Sequence, residues 1–151
     1  MSEPGKIIIR PMEEPDLAEV LRIEQASFSS PWKQEHFLHE IASKHSFPLV
    51  AVREAEILGY VCIMSLFEEA QILDIAVAPE QRGRGLAMIL MEHAFKTARE
   101  QKAEFMALEV RASNVAAICL YERIGFQRTG IRQAYYEGKE DAVLMEKNLL
   151  C

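Results

Sequence analysis

Apolar and polar positions along this chain switch repeatedly between the two-residue period of strands and the 3.6-residue period of helices. Lys6 to Arg10 (KIIIR) predicts a first strand, and Pro11 to Glu14 turn the chain. Pro15 suits the first turn of a helix whose Leu17, Val20, Leu21 and Phe28 share a face. Ser29-Ser30-Pro31-Trp32 ends it. A short helix follows with Phe37, Leu38 and Ile41 inward, then a polar loop from Ser43 to Ser46. Leu49 to Arg53 and Ile57 to Leu66 predict two strands in a hairpin through Glu54-Ala55-Glu56. Gln71 to Ala78 is a nearly continuous apolar run, the pattern of a strand covered on both faces, and Pro79 ends its ladder for want of an N–H. Beyond it Leu86, Ile89, Leu90, Ala94, Thr97 and Ala98 recur at helical spacing. Phe105 to Arg111 predicts a strand. Ala117, Ile118, Leu120 and Tyr121 mark a helix that Asn114 could cap and Gly125 stops. Gln127 to Tyr136 and Ala142 to Leu149 close the chain as two strands around Glu137–Glu140. There are no repeats or linkers. The pattern predicts one α/β domain over residues 1–151, a single mixed sheet of about seven strands with about four helices on both faces.

Composition narrows the classes. With 50% hydrophobic and 26% charged residues, the 151-residue chain matches a soluble globular protein with room for a core. The N-terminus has no apolar stretch of the kind a signal peptide requires, and no run is long enough to span a bilayer, so a cytoplasmic protein is expected. A formal net charge of −6 weighs against nucleic-acid binding and is compatible with a cationic partner such as a basic protein tail. The three cysteines, Cys62, Cys119 and Cys151, suggest neither a disulfide framework nor a zinc site. Cys62 and Cys119 sit in apolar runs and read as small core residues, Cys151 as an exposed thiol. His36, His39 and His45 read as solvated surface, so no metal is expected.

The turn between the Gln71–Ala78 strand and its helix carries candidate chemistry. No Ser, Thr, Asp or Asn stands there to cap the first helical N–H groups. Gly83 and Gly85 permit a close backbone approach, and Arg82 and Arg84 add positive charge to the helix N-terminus. A phosphate or pyrophosphate fits better than a turn capped by water. The spacing is neither the P-loop pattern nor the dinucleotide fingerprint. What remains is Arg82-x-x-Gly85-x-Ala87.

Glu109 interrupts an apolar strand, with Leu108 and Val110 pointing to the opposite face. From the strand alone it lies either at a solvated end or in a functional cleft. The run that contains it, LEVRASNVAAICLYERIGF, completes a second pattern. Together with Arg82-x-x-Gly85-x-Ala87, Ser30-Pro31-Trp32, Tyr135-Tyr136 and Glu140-Asp141-Ala142, it resembles the GCN5-related N-acetyltransferases (GNAT) over essentially the whole chain. More narrowly it is similar to their RimI-type branch, which acetylates the N-terminal alanine of a small-subunit ribosomal protein. The resemblance implies a mostly antiparallel sheet with two central strands, Gln71–Ala78 and Phe105–Arg111, splayed around acetyl-CoA.

It also implies roles. Glu109 matches the general base and Tyr121 the general acid that protonates the departing thiolate. Ile75, Ala76 and Val77 match the strand segment that pairs with the pantetheine arm. Gly83, Arg84, Gly85, Leu86, Ala87 and Met88, with Arg82 before them, match the pyrophosphate turn. Asn114 matches a further cofactor contact, which leaves its helix-capping role open beside it. Trp32, Tyr135 and Tyr136 would border the acceptor peptide, although period-2 alternation lets at most one of the tyrosines face the cleft. The Val77 N–H is a candidate oxyanion donor. The implied partner is a protein N-terminus, with no nucleic acid and no membrane. Two rivals stand beside this expectation: the same transfer to lysine side chains or a small amine, and an acetyl-CoA-binding module without turnover. The presence of both Glu109 and Tyr121 speaks against the second.

Overall fold

In a computed structural model, which describes residues 5–150, β1 (Ile8–Pro11) leads into α1 (Leu17–Ser27) and α2 (Gln34–Ala42). A meander follows, made of β2 (Ser46–Arg53), β3 (Glu56–Leu66) and β4 (Glu69–Val77). Then come α3 (Leu86–Glu100), β5 (Phe105–Arg111), α4 (Val115–Arg123), β6 (Gln127–Tyr136) and β7 (Glu140–Asn148). The seven strands form one sheet in the order β1-β2-β3-β4-β5-β7-β6. Every pairing is antiparallel except β4 with β5, the two strands joined by the α3 crossover. This is the mixed, mostly antiparallel sheet with four flanking helices that the sequence leads one to expect.

Two apolar clusters sandwich the sheet. On one face Leu86, Leu90, Met91 and Ala94 of α3 and Ile118 and Tyr121 of α4 pack over Val61, Ile63, Leu108 and Val110. On the other, Leu17, Val20 and Ile23 of α1 and Phe37 of α2 cover Val50, Tyr60, Cys62 and Ala76. Each fully buried leucine or isoleucine removed from water contributes about 1.5–3 kcal/mol. The α3 stripe is wider than its helical spacing suggests: Met91 and Phe95 are buried too, while Ile89 and Thr97 are only partly covered. Cys119 corrects an expectation. It is exposed, because α4 turns only Ile118 and Tyr121 fully inward and the next position along from Ile118 rotates about 100° away. Cys62 is buried as expected, and Cys151 lies outside the described residues.

The central feature is where β4 and β5 part. They pair only through Glu69–Gln71 and Phe105–Ala107. On the side of β3, Cys62 pairs with Asp74 but Ile63 pairs with Ile72, so Leu73 is an extra residue in β4. Such a bulge bends the strand and strengthens its twist. β5 runs on straight against β7, from Phe105–Asn148 to Arg111–Ala142. The two strands therefore open into a V beyond Gln71. Gly59 helps to hold β4 in place: a Cβ there would lie 2.8 Å from the Ala76 carbonyl oxygen.

Candidate active site

Backbone phase decides what β4 offers to the gap. The Ala78 N–H donates to the Leu58 carbonyl at 2.8 Å, which makes 58 and 78 a hydrogen-bonded pair of the ladder. By alternation Tyr60 and Ala76 form the next such pair, and the N–H groups of Ile75 and Val77 point away from β3 into the V. The Val77 carbonyl accepts from Arg82 Nε at 3.1 Å. A strand edge whose N–H groups face a neighbour that has swung away is where an extended amide-bearing chain can pair.

At the far end of β4, Pro79–Gln81 form a single 3₁₀ turn before the helix. Gly85 is the N-cap of α3, with φ +79° and no side chain capping the helix. Gly83 has the same positive φ, and a Cβ on either glycine would meet nothing within 4 Å. The two glycines are thus required by the backbone conformation, and the space around them is open. Leu86 anchors the helix in the core, while Ala87 and Met88 are partly exposed. This arrangement fits a pyrophosphate: uncapped helical N–H groups, a positive dipole end and open space. The arginines are partly engaged elsewhere. Arg82 Nη2 donates to Ser27 Oγ at 2.9 Å, so it ties the turn to α1, and Arg84 Nη1 reaches Gln81 Oε1 at 3.4 Å.

A cleft of about 560 Å³ fills the V, lined by Ile72–Ile75 of β4, Leu108–Arg111 of β5, Asn114, Tyr121, Tyr136, Trp32 and the end of α1. Its size suits a bound small molecule. Alternation in β5 turns Leu108 and Val110 into the core and leaves Glu109 partly exposed on the opposite face, in the cleft. Arg132 Nη1 lies 3.6 Å from Glu109 Oε1. The Tyr135 phenol is raised above its ordinary value, first by its hydrogen bond to Glu109 and then by the charge of that carboxylate. Tyr121 is buried, packs edge-on against Phe126 and lines the cleft. Burial, followed by the charge of Asp74, pushes its phenol up to about 12, so it keeps its proton.

Other expected residues prove to have double duties. Asn114 Oδ1 accepts from the Ala117 N–H at 3.1 Å, a true helix cap, and Asn114 also lines the cleft. Trp32 packs on Phe37 with centroids 5.1 Å apart and still borders the opening. Of the two tyrosines only Tyr136 lines the cleft, under the Arg111 guanidinium 4.4 Å from its ring centroid. Both nonetheless feel the charge of Glu109. One tyrosine in the cleft is what alternation allows, although Ala134 has φ +52° and the β6 register slips between Arg132 and Tyr136. His36 Nδ1 accepts from the Lys33 N–H at 2.9 Å, and among the described residues no three metal-ligating side chains gather.

A polar latch spans one side of the cleft. Glu137 accepts from Ser30 Oγ and, at 3.2 Å, from Ser29 Oγ; Arg111 Nη2 donates to Ser29 Oγ at 3.1 Å and Nη1 lies 3.2 Å from Glu140 Oε1. It joins the segment after α1 to the β6–β7 hairpin. Hydrogen bonds from Ser30 and Ser29 hold the Glu137 carboxyl below its ordinary value.

Two acidic residues of the cleft, Glu24 and Asp74, were not legible as cleft residues in the pattern of the sequence. Glu24 is buried at 2% exposure, yet it falls seven residues after Leu17, squarely on the apolar stripe of α1. Asp74 sits in the middle of the run QILDIAV. A charged residue at an apolar position was the available signal in both cases.

Comparison with known proteins follows the same lines. Residues 17–126 match the acetyltransferase (GNAT) family model. A protein of Bacillus subtilis (strain 168), provisionally named a [ribosomal protein bS18]-alanine N-acetyltransferase, is 38% identical over 142 residues, covering 93% of this chain and 94% of its own. The [ribosomal protein bS18]-alanine N-acetyltransferase of Escherichia coli (strain K12) is 33% identical over 141 residues, covering 91% and 94%. The crystal structure of the ribosomal-protein-S18-alanine N-acetyltransferase from Escherichia coli superposes with a TM-score of 0.89 at 30% identity, covering 97% of this chain and 96% of that one. The splayed sheet, the uncapped glycine turn and these likenesses agree: the chain belongs to the GNAT family of acetyltransferases.

Proposed function

We propose that this chain, acting as one domain over residues 1–151, transfers acetyl from acetyl-CoA to the N-terminal α-amine of a cytoplasmic protein, an N-terminal alanine of a small-subunit ribosomal protein. The observation that carries this reading is the convergence of Glu109, Tyr121, Asn114 and the free edge of β4 on one cleft at the splay. The names of the two similar bacterial proteins support the choice of acceptor.

Acetyl-CoA, when bound, supplies the acetyl group as a thioester. The N–H groups at Ile75 and Val77 hold its extended arm beside Ala76, with Val77 as candidate oxyanion donor. The turn from Arg82 to Met88 receives the pyrophosphate, its glycines leaving room and its helix end supplying donors. Asn114 adds a contact from the head of α4. Glu109, reachable from the acceptor side, takes the proton that the amine must lose. An α-amine, with a pKa near 8, is neutral at pH 7 a few hundred times more often, roughly, than a lysine near 10.4, so a modest base suffices. Tyr121 keeps its proton at neutral pH and gives it to the departing thiolate. Trp32, Tyr135 and Tyr136 border the incoming peptide. Transfer is direct: Cys62 is buried with its thiol pushed up by burial, and neither it nor Cys119 lines the cleft.

The test is thiol release. Purified protein with acetyl-CoA should liberate coenzyme A thiol when given a peptide with a free N-terminal alanine, and none when that peptide is already N-acetylated. Equal release with both, or release with neither, contradicts the reading.

A further inference from the structure

We propose that Arg132 is a positioning residue for the transfer: it fixes the Glu109 carboxylate for the acceptor amine, and a stack of two tyrosines fixes Arg132 in turn. The proposal rests on the reading of Glu109 as the base.

Glu109 sits on β5 and Arg132 on β6, with β7 between them. The register sets Arg132 in one row with Ala142 and Arg111, while Glu109 lies in the adjoining row with Leu144 and Gly130. The arginine therefore slants back across β7 to bring Nη1 within 3.6 Å of Glu109 Oε1. Among the described residues it is the one cation within 4.0 Å of that carboxylate.

A long exposed arginine does not hold such a position unaided, because fixing its rotamers costs entropy. β6 is irregular at the point that supplies the support. From Arg132 to Tyr136 it advances four residues while β7 advances two, between Ala142 and Glu140. Ala134 has φ +52°, and its N–H donates to Asp141 Oδ1 at 2.9 Å. In a regular strand residues three apart point to opposite faces. The slip instead sets the Arg132 guanidinium over the ring of Tyr135, 5.0 Å from its centroid. Tyr135 meets Tyr136 edge to face at 5.1 Å, and Tyr136 lies under Arg111 at 4.4 Å. Arg111 donates to Ser29 Oγ at 3.1 Å and pairs with Glu140 at 3.2 Å. Glu109 is thus braced through the β6–β7 hairpin to the segment after α1.

As an exposed ion pair, Arg132 and Glu109 add little to stability. The effect of the pair belongs in the rate, because displacing a catalytic group by an ångström costs up to about 10²-fold. Arg132 then acts through Glu109 and touches neither acetyl-CoA nor the acceptor.

The test is a double-mutant cycle, read by steady-state acetylation of a peptide with a free N-terminal alanine. Arg132→Gln should lower kcat by about tenfold and leave KM for acetyl-CoA and for the peptide within about twofold. Arg132→Lys keeps the charge and loses the planar stack, so its rate should fall between those of Arg132→Gln and wild type. In the Glu109→Gln background Arg132→Gln should change the residual rate by less than about twofold, because the group it positions is gone. Equal losses in both backgrounds, or wild-type rates in Arg132→Gln, overturn the proposal. So does a peptide KM that rises with kcat unchanged, which would put Arg132 on the acceptor. Wild-type rates in Glu109→Gln remove the base and its positioning residue together while the acetyl transfer stands. No acetylation of the peptide by wild type removes the proposed function and this inference with it.

Discussion

Arg132 Nη1 stands 3.6 Å from Glu109 Oε1, reaching across β7 from the neighbouring strand. The two side chains are 55% and 21% exposed, so the pair sits at the mouth of the cleft and water screens it. Glu109 is therefore oriented without being sealed from solvent.

Replacing Glu109 with Gln should lower turnover by about 10²–10⁴-fold. Acetyl-CoA affinity should not change, because the carboxylate lies across the V from the strand edge. The residual rate should climb with pH toward about 8 as more of the amine is neutral without help. Steady-state rates with an alanine peptide, taken across pH, check this; wild-type rates throughout would remove Glu109 from its role.

Tyr121→Phe should keep the packing on Phe126 and acetyl-CoA binding while turnover falls by about 10–10²-fold. The loss should be smaller than for Glu109, since a thiolate with a pKa near 8.5 leaves tolerably well unaided. Stability carries a second signature. The fold raises the phenol from 10.0 to about 12, so it favours the neutral form. That contribution is fully present below pH 10 and is lost as pH rises through about 12. Denaturant melts of wild type should show the decline, and those of Tyr121→Phe should lack its share.

Gly85→Trp should abolish acetyl-CoA binding and leave the chain folded. The Cβ meets nothing within 4 Å, so the cost to stability is the positive φ alone, about 1–2 kcal/mol. Circular dichroism with calorimetric titration separates the two effects. Normal acetyl-CoA binding by this variant would move the pyrophosphate site elsewhere.

Asp74→Asn should stabilise the protein at neutral pH by at least about 1 kcal/mol. Burial, and then the Glu24 carboxyl, push Asp74 well above the ordinary carboxylate range. A raised carboxyl favours the folded state fully below its unfolded value of 3.8, and that advantage is lost as pH rises toward the folded value. An amide does not titrate, so the variant escapes this cost. Melting temperatures of variant and wild type should therefore coincide near pH 3 and diverge upward.

Much of this site was legible because it obeys local rules. The uncapped glycine turn needed only the absence of Ser, Thr, Asp or Asn before Leu86, and the face of Glu109 followed from alternation in a strand that stays regular against β7. What escaped depends on irregularity or on distant contacts. The Leu73 bulge leaves no mark in the run QILDIAV, so neither the phase of β4 nor the direction of Asp74 could be read from it. Glu24 is tolerable on the apolar face of α1 only because Tyr60 and the Trp32 backbone, from two other segments, donate to it. The slip between Arg132 and Tyr136 sets the Tyr135 and Tyr136 rings edge to face at 5.1 Å, a pairing that regular alternation does not give. Cys119 shows the reverse error, a residue placed in the core by an apolar neighbourhood although the helical angle turns it out.

The most direct measurement offers the protein two peptides in one vessel with acetyl-CoA and reads both by mass spectrometry. One begins with a free alanine and contains no lysine; the other is blocked at its N-terminus and carries a single lysine. An added acetyl group is expected on the first peptide alone. Acetyl on the lysine peptide alone would contradict it and assign this cleft to side-chain amines.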